Sequence, residues 1–152
     1  MTVLLSQSVR GEIPRRRIIR LLTRAARFMN LPSNTEVSVR VVGARRMRTV
    51  NAARRQKDSV TDVLSFPQFQ GRTVRGSIRA EAKAVPSVSI GDILVYLPLL
   101  ERRARLFHRT PAQHVNAMIV HSLLHLLGYD HGSARARAQM ETLTQRILDH
   151  TP

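Results

Sequence analysis

The 152 residues include 25 Lys and Arg, nearly all of them Arg, against 10 Asp and Glu, for a formal charge of +15, and there is no cysteine. One domain with a sizeable core fits that length, disulfide frameworks and thiolate metal sites are excluded, and no stretch of about 18 apolar residues is present to cross a membrane. The basic surface suits polyanions; with four Phe, two Tyr and no Trp, contact with a nucleic acid is expected through backbone charge and shape more than through base stacking.

In chain order, Thr2 to Ser6 reads as a short edge or outer strand. Its apolar run is too short for a secretory signal, so a cytoplasmic location is expected. Pro14 suits the first turn of a helix in which Ile18, Ile19, Leu21, Leu22, Ala25, Ala26 and Met29 form one stripe. Arg15, Arg16, Arg17, Arg20, Arg24 and Arg27 lie largely opposite, as a solvated face or an RNA contact. Leu31 to Asn34 is a turn, and Glu36 to Val41 alternates as a half-buried strand does. Ala44 to Arg54 returns to a helical pattern, and Asp58 to Phe66 leads from turn residues into a β-prone run that Pro67 stops.

Residues 68–86 have little apolar periodicity and carry Arg72, Arg75, Arg79 and Lys83. They are expected to form a flexible basic loop, either closing on RNA or simply disordered. Ser89 to Tyr96 is the strongest strand, apolar enough for a central position buried on both faces. Pro98 begins a helix through about Phe107. Thr110 and Pro111 then cap and start a core helix through Leu127, and Ala134 to His150 is a closing amphipathic helix with Met140, Leu143, Ile147 and Leu148 inward. The order predicts a single α+β domain over residues 1–152, a small mixed four-stranded sheet packed with about five helices.

The stretch Val120-His121-Ser122-Leu123-Leu124-His125-Leu126-Leu127-Gly128-Tyr129-Asp130-His131 carries the chemistry. On a helix, His121 and His125 project from one face a turn apart. Gly128 stands where a left-handed residue ends a helix and turns the chain back, bringing His131 round as a third nitrogen. A lone histidine on an apolar helix is usually a core residue; three at this spacing point to a metal, with zinc or a similar borderline ion favoured. Three protein ligands leave a fourth position for water, as in catalytic rather than structural sites.

His-x-x-x-His-x-x-Gly-x-Asp-His, as it stands from His121 to His131, resembles the signature of the YbeY family of metal-dependent endoribonucleases. Asn51 to Pro67 resembles that family's second motif and Ile90-Gly91-Asp92-Ile93 its third, in the same order. The resemblance spans about residue 50 to the C-terminus. It implies the same α+β architecture, zinc on His121, His125 and His131, and a catalytic arginine near the metal, which the register back from Thr61 to Pro67 places on Arg55 rather than Arg54. A fixed guanidinium stabilises the charge that builds on phosphate oxygens. The implied substrates are single-stranded RNA, the 3′ end of small-subunit ribosomal RNA and defective ribosomal particles. Attack by an activated water and attack by the ribose 2′-OH both remain open.

Two other readings stand beside this one. In a zinc peptidase of similar pattern a glutamate base follows the first histidine, whereas here Ser122 does; its hydroxyl is available for a hydrogen bond near the ligands. A structural zinc in an RNA- or ribosome-binding module needs a fourth ligand, for which Asp130 and His114 are the candidates. His114 falls about 10 Å from His121 along the helix axis and fits better as a lining group, and Asp130 as one that orients a ligand or fixes the turn. His108 and His150 receive no role.

Overall fold

The structure, a computed structural model, describes residues 1–9, 14–71 and 73–150. Its elements run β1 (Thr2–Gln7), α1 (Arg15–Phe28), β2 (Thr35–Val41), α2 (Ala44–Arg55), β3 (Val63–Pro67), α3 (Val74–Glu81), β4 (Val88–Val95), α4 (Leu97–Arg103), a 3-10 turn (Ala104–Phe107), α5 (Pro111–Leu126) and α6 (Ala134–Asp149). The four strands form one mixed sheet in the order β1-β2-β4-β3. β1 and β4 run parallel to β2, and β3 runs antiparallel to β4. The expected edge position of β1 and central position of β4 are both realised.

Successive residues of β4 serve opposite faces of the sheet, as the two-residue period of a strand requires. Ile93 joins the main core with Ile18 and Leu22 of α1 and Ile119, Leu123 and Leu124 of α5. Leu94 joins a smaller cluster with Val42, Met47 and Leu64 beneath α2. α5 is buried on most sides, with Val115, Ala117, Ile119, Val120, Leu123, Leu124 and Leu126 all inside. Few polar positions are left on it, and two of them are His121 and His125.

A bulge interrupts the β2–β4 ladder between Glu36 and Ser38, so that β4 carries one extra residue at Ile90–Gly91. Gly91 has φ +132 there. A side chain at this point would run into the carbonyl of Phe66 and lie 3.1 Å from Leu126 of α5. The Ile90-Gly91-Asp92-Ile93 segment therefore lets the helix that carries the histidines approach the sheet closely.

The stretch 68–86 differs from the expected flexible loop. Its middle is α3, seated by Val74 and Ile78, which are 3% and 0% exposed. Asn34 Nδ2 donates to the carbonyls of Ala82 and Val85, both at 3.0 Å, and Arg75 Nη2 donates to the Met29 carbonyl at 2.8 Å. These contacts tie α3 to the end of α1 and the start of β2. Two apolar residues four apart, with Gly76 and Ser77 between them, give too faint a periodicity to read, and tertiary contacts decide the helix. Arg72 lies outside the described residues. The helix expected to run from Pro98 to Phe107 stops at Arg103 and tightens into the 3-10 turn.

Candidate metal centre

α5 begins with a full capping box. Thr110 Oγ1 accepts from the Gln113 amide at 3.2 Å, and Gln113 Oε1 accepts from the Thr110 amide at 2.9 Å. Its other end closes as a Schellman turn: the Gly128 amide donates to His125 O at 3.0 Å and the Tyr129 amide to Leu124 O at 3.1 Å. Gly128 takes φ +86, the left-handed conformation expected of it. The chain doubles back, and Asp130 Oδ1 accepts from the Gly132 amide at 3.0 Å, fixing the turn that presents His131.

The three imidazoles converge. Ring centroids are 4.8 Å apart for His121 and His125, 5.1 Å for His121 and His131, and 4.4 Å for His125 and His131. One nitrogen from each lies within 4.8 Å of the others. Burial pushes His121 down from 6.5 to about 4, with His125 and His131 adding to the shift. His125 is also lowered, first by burial and then by His131 and, less, Arg55, while a backbone group of Tyr129 and the Asp130 carboxylate oppose this. Three imidazole nitrogens gathered this closely are a donor set that a borderline divalent ion takes.

His121 and His125 are half-buried and His131 is exposed, so the group is open on one side. No fourth donor joins it among the described residues. His114 is buried under Phe107, with ring centroids 4.8 Å apart, and Asp130 is engaged in its turn. The closed structural site is therefore not formed by these residues. Ser122 does not support the ligands either: its hydroxyl donates along the helix to Met118 O at 2.8 Å, and no carboxylate replaces the peptidase base.

Arg54 and Arg55 end α2 and diverge. The Arg54 guanidinium lies over the Phe66 ring, 5.9 Å from its centroid, whereas the charge of Arg55 is felt at His125. The link from α2 to β3 that sets this position is pinned by Asn51, whose Nδ2 donates to Ser59 O at 2.8 Å, and by a bidentate Arg48–Asp58 pair at 2.6 and 2.7 Å. Asp62, 7% exposed, takes Arg103 at 2.7 Å and the Val63 amide at 3.0 Å, joining α4 to the start of β3. Sequence spacing gave no signal for this pair. A cleft of about 400 Å³ opens beside the ligand turn, between Thr73 and Arg75 of the α3 end and Gly128 and Tyr129.

A mixed α+β domain with a convergent three-histidine centre on its core helix is the class that fold and site define. Within it, the chain belongs to the YbeY family: the family model described as Endoribonuclease YbeY matches residues 6–152. The chain is 36% identical over 132 residues to the endoribonuclease YbeY of Geobacillus kaustophilus, covering 86% of this chain and 82% of that protein. Against the endoribonuclease YbeY of an Anaeromyxobacter species the identity is 38% over 148 residues, with 93% and 69% covered. A solution structure of a Thermotoga maritima protein shares the fold, with TM-score 0.60 and 21% identity over 97% of this chain and 90% of that one.

Proposed function

We propose that this chain is a zinc-dependent endoribonuclease specific for single-stranded RNA. Its implied role is maturation of the 3′ end of 16S ribosomal RNA and removal of defective 70S ribosomes in the cytoplasm. The observation that carries the reading is the three-histidine group itself: nitrogens within 4.8 Å, no carboxylate or fourth donor in the group, and one open side. His121, His125 and His131 would hold the ion, which when bound supplies Lewis acidity toward a phosphoryl oxygen and activates water near neutral pH.

The remaining work falls to the chain. Burial lowers the pKa of His121 to about 4 and that of His125 in the same direction, which favours the unprotonated form that ligates. Asp130 holds the turn that presents His131. Arg55 brings a permanent positive charge beside His125, suited to the charge that grows on phosphate oxygens during cleavage. The arginine-rich surface draws the polyanion in.

The test is cleavage of a ribosomal RNA 3′-end fragment by zinc-loaded protein beside a folded His125→Ala protein. Internal cutting by the first alone supports the reading. A 2′,3′-cyclic phosphate end would assign the nucleophile to the ribose 2′-OH, and a 5′-phosphate end to water. If neither protein cuts while both bind the fragment equally, the chain is a ribosome- or RNA-binding factor and the enzyme reading fails.

A further inference from the structure

Phe107 is the only Phe or Tyr that is exposed among the described residues, at 55%, and its neighbour Leu106 is 75% exposed. The ring is nonetheless held in place. The 3-10 turn closes behind it through the His108 amide to Arg105 O at 3.3 Å and the Arg109 amide to Ala104 O at 3.1 Å, with His108 left-handed at φ 51. The inner face of Phe107 lies on His114, centroids 4.8 Å apart and planes 17° from parallel. His114 is 1% exposed and neither of its ring nitrogens has a hydrogen-bond partner. Burial, then Arg109, lowers its pKa, with Asp62 opposing, which disfavours a charge on the ring under Phe107. One face of the phenyl is thus pre-stacked, and the other meets solvent.

Position adds to this. His114 lies seven residues before His121 on α5, nearly in line with it and about 10 Å away along the axis. Phe107, stacked on His114, therefore lies against the stripe of α5 that carries His121 farther along. Arg109 acts electrostatically on His114 and Arg102 and Arg105 are exposed on α4 and the turn, whereas Arg103 is paired with Asp62. A fixed aromatic face among arginines has the chemistry for an unpaired base and its flanking phosphates. An acidic protein would use the arginines and have no need of a stacked ring.

We propose that the outer face of Phe107 is a base-stacking subsite for single-stranded RNA, with Arg105 and Arg109 on the adjoining phosphates, one step along α5 from the histidine centre. This rests on the reading of that centre as RNA-cleaving. The subsite sets where the strand lies relative to the metal, and it favours unpaired RNA because a base inside a duplex has no free face to offer.

The test uses full-length zinc-loaded protein and a single-stranded 2′-O-methyl oligonucleotide carrying one 2-aminopurine, moved position by position. Stacking on Phe107 quenches the probe in one register. The wild type and Phe107→Trp are expected to quench it; Phe107→Leu, which keeps an apolar side chain over His114, is expected to lose the quench and bind about 5- to 150-fold more weakly, the range for one stacked base. In cleavage of unmodified RNA the loss falls on KM. Equal affinity and equal quenching in Phe107→Leu overturn the proposal, as does a wild-type dimer in sedimentation that Phe107→Leu dissolves, which would give the ring to a second copy. His125→Ala in the same cleavage assay separates the two readings: if it cuts like the wild type, the metal reading fails, while the register-specific quench still reports on Phe107.

Discussion

Val74 Cγ2 lies 2.9 Å from where a Cβ on Gly128 would stand, and Val74 Cβ 3.2 Å from it. The first residue of α3 thus fills the space left by the glycine that turns the chain toward His131. Gly128→Ala combines that collision with a side chain at φ +86 and is expected to cost about 1–3 kcal/mol. Because the displaced turn carries His131, zinc affinity should fall with it on the proposed reading, measured by competition with a chromophoric chelator. A stable variant with unaltered affinity would show that the turn does not depend on this seat.

The metal-free protein should lose stability in acid. His121 titrates at about 4 when folded against 6.5 when unfolded, and His125 shifts the same way. Between those values the unfolded chain binds more protons, so stability is full above pH 6.5 and declines progressively as pH falls to about 4. Protons and metal compete for the same nitrogens, so zinc release should occur in the same window and zinc should flatten the decline at its upper end. Urea melts at several pH values, with and without zinc, give the comparison; a His121→Gln protein should lose much of the slope.

Arg55 is exposed at the end of α2, so its removal should leave the fold intact and act on chemistry. Arg55→Ala is expected to lower kcat by about 10²–10³-fold, the scale seen when one preorganised donor to a developing charge is lost. Arg55→Lys should recover only part of this, since a point charge replaces a planar fork. Unchanged kcat in Arg55→Ala would remove it from the site.

Arg75 is expected to act in the fold more than on RNA. Its Nη2 bonds the Met29 carbonyl at 2.8 Å, so Arg75→Ala should cost about 1–2 kcal/mol in a denaturant melt and barely change the salt dependence of RNA binding. A slope reduced by about one unit would instead return it to phosphate contact.

Much of this architecture was legible because it is written in local geometry. The stripe of α1, the alternation of β2, the apolar run of β4 and the Thr110–Pro111 start of α5 each follow from a repeat or a cap read within a few residues. The same holds for the metal centre: a helical pitch puts His121 and His125 on one face, and a glycine that tolerates positive φ sends the chain back to His131. Those constraints lie inside an eleven-residue window, so one sequence suffices to bring the three histidines together. α3 was not legible, because its two apolar anchors are too few to mark a helix without Gly128 and the main core to receive them.

What only the tertiary structure decided are relations between distant segments. That Arg54 lies over Phe66 while the charge of Arg55 reaches His125, that Asp62 takes Arg103, that Val74 seats against Gly128 and that Phe107 lies on His114 all depend on how elements pack. Packing is set by shape and volume summed over the whole core, and no periodicity within a single segment records it. The chain's own sequence determined which histidines can meet; the fold determined what stands around them.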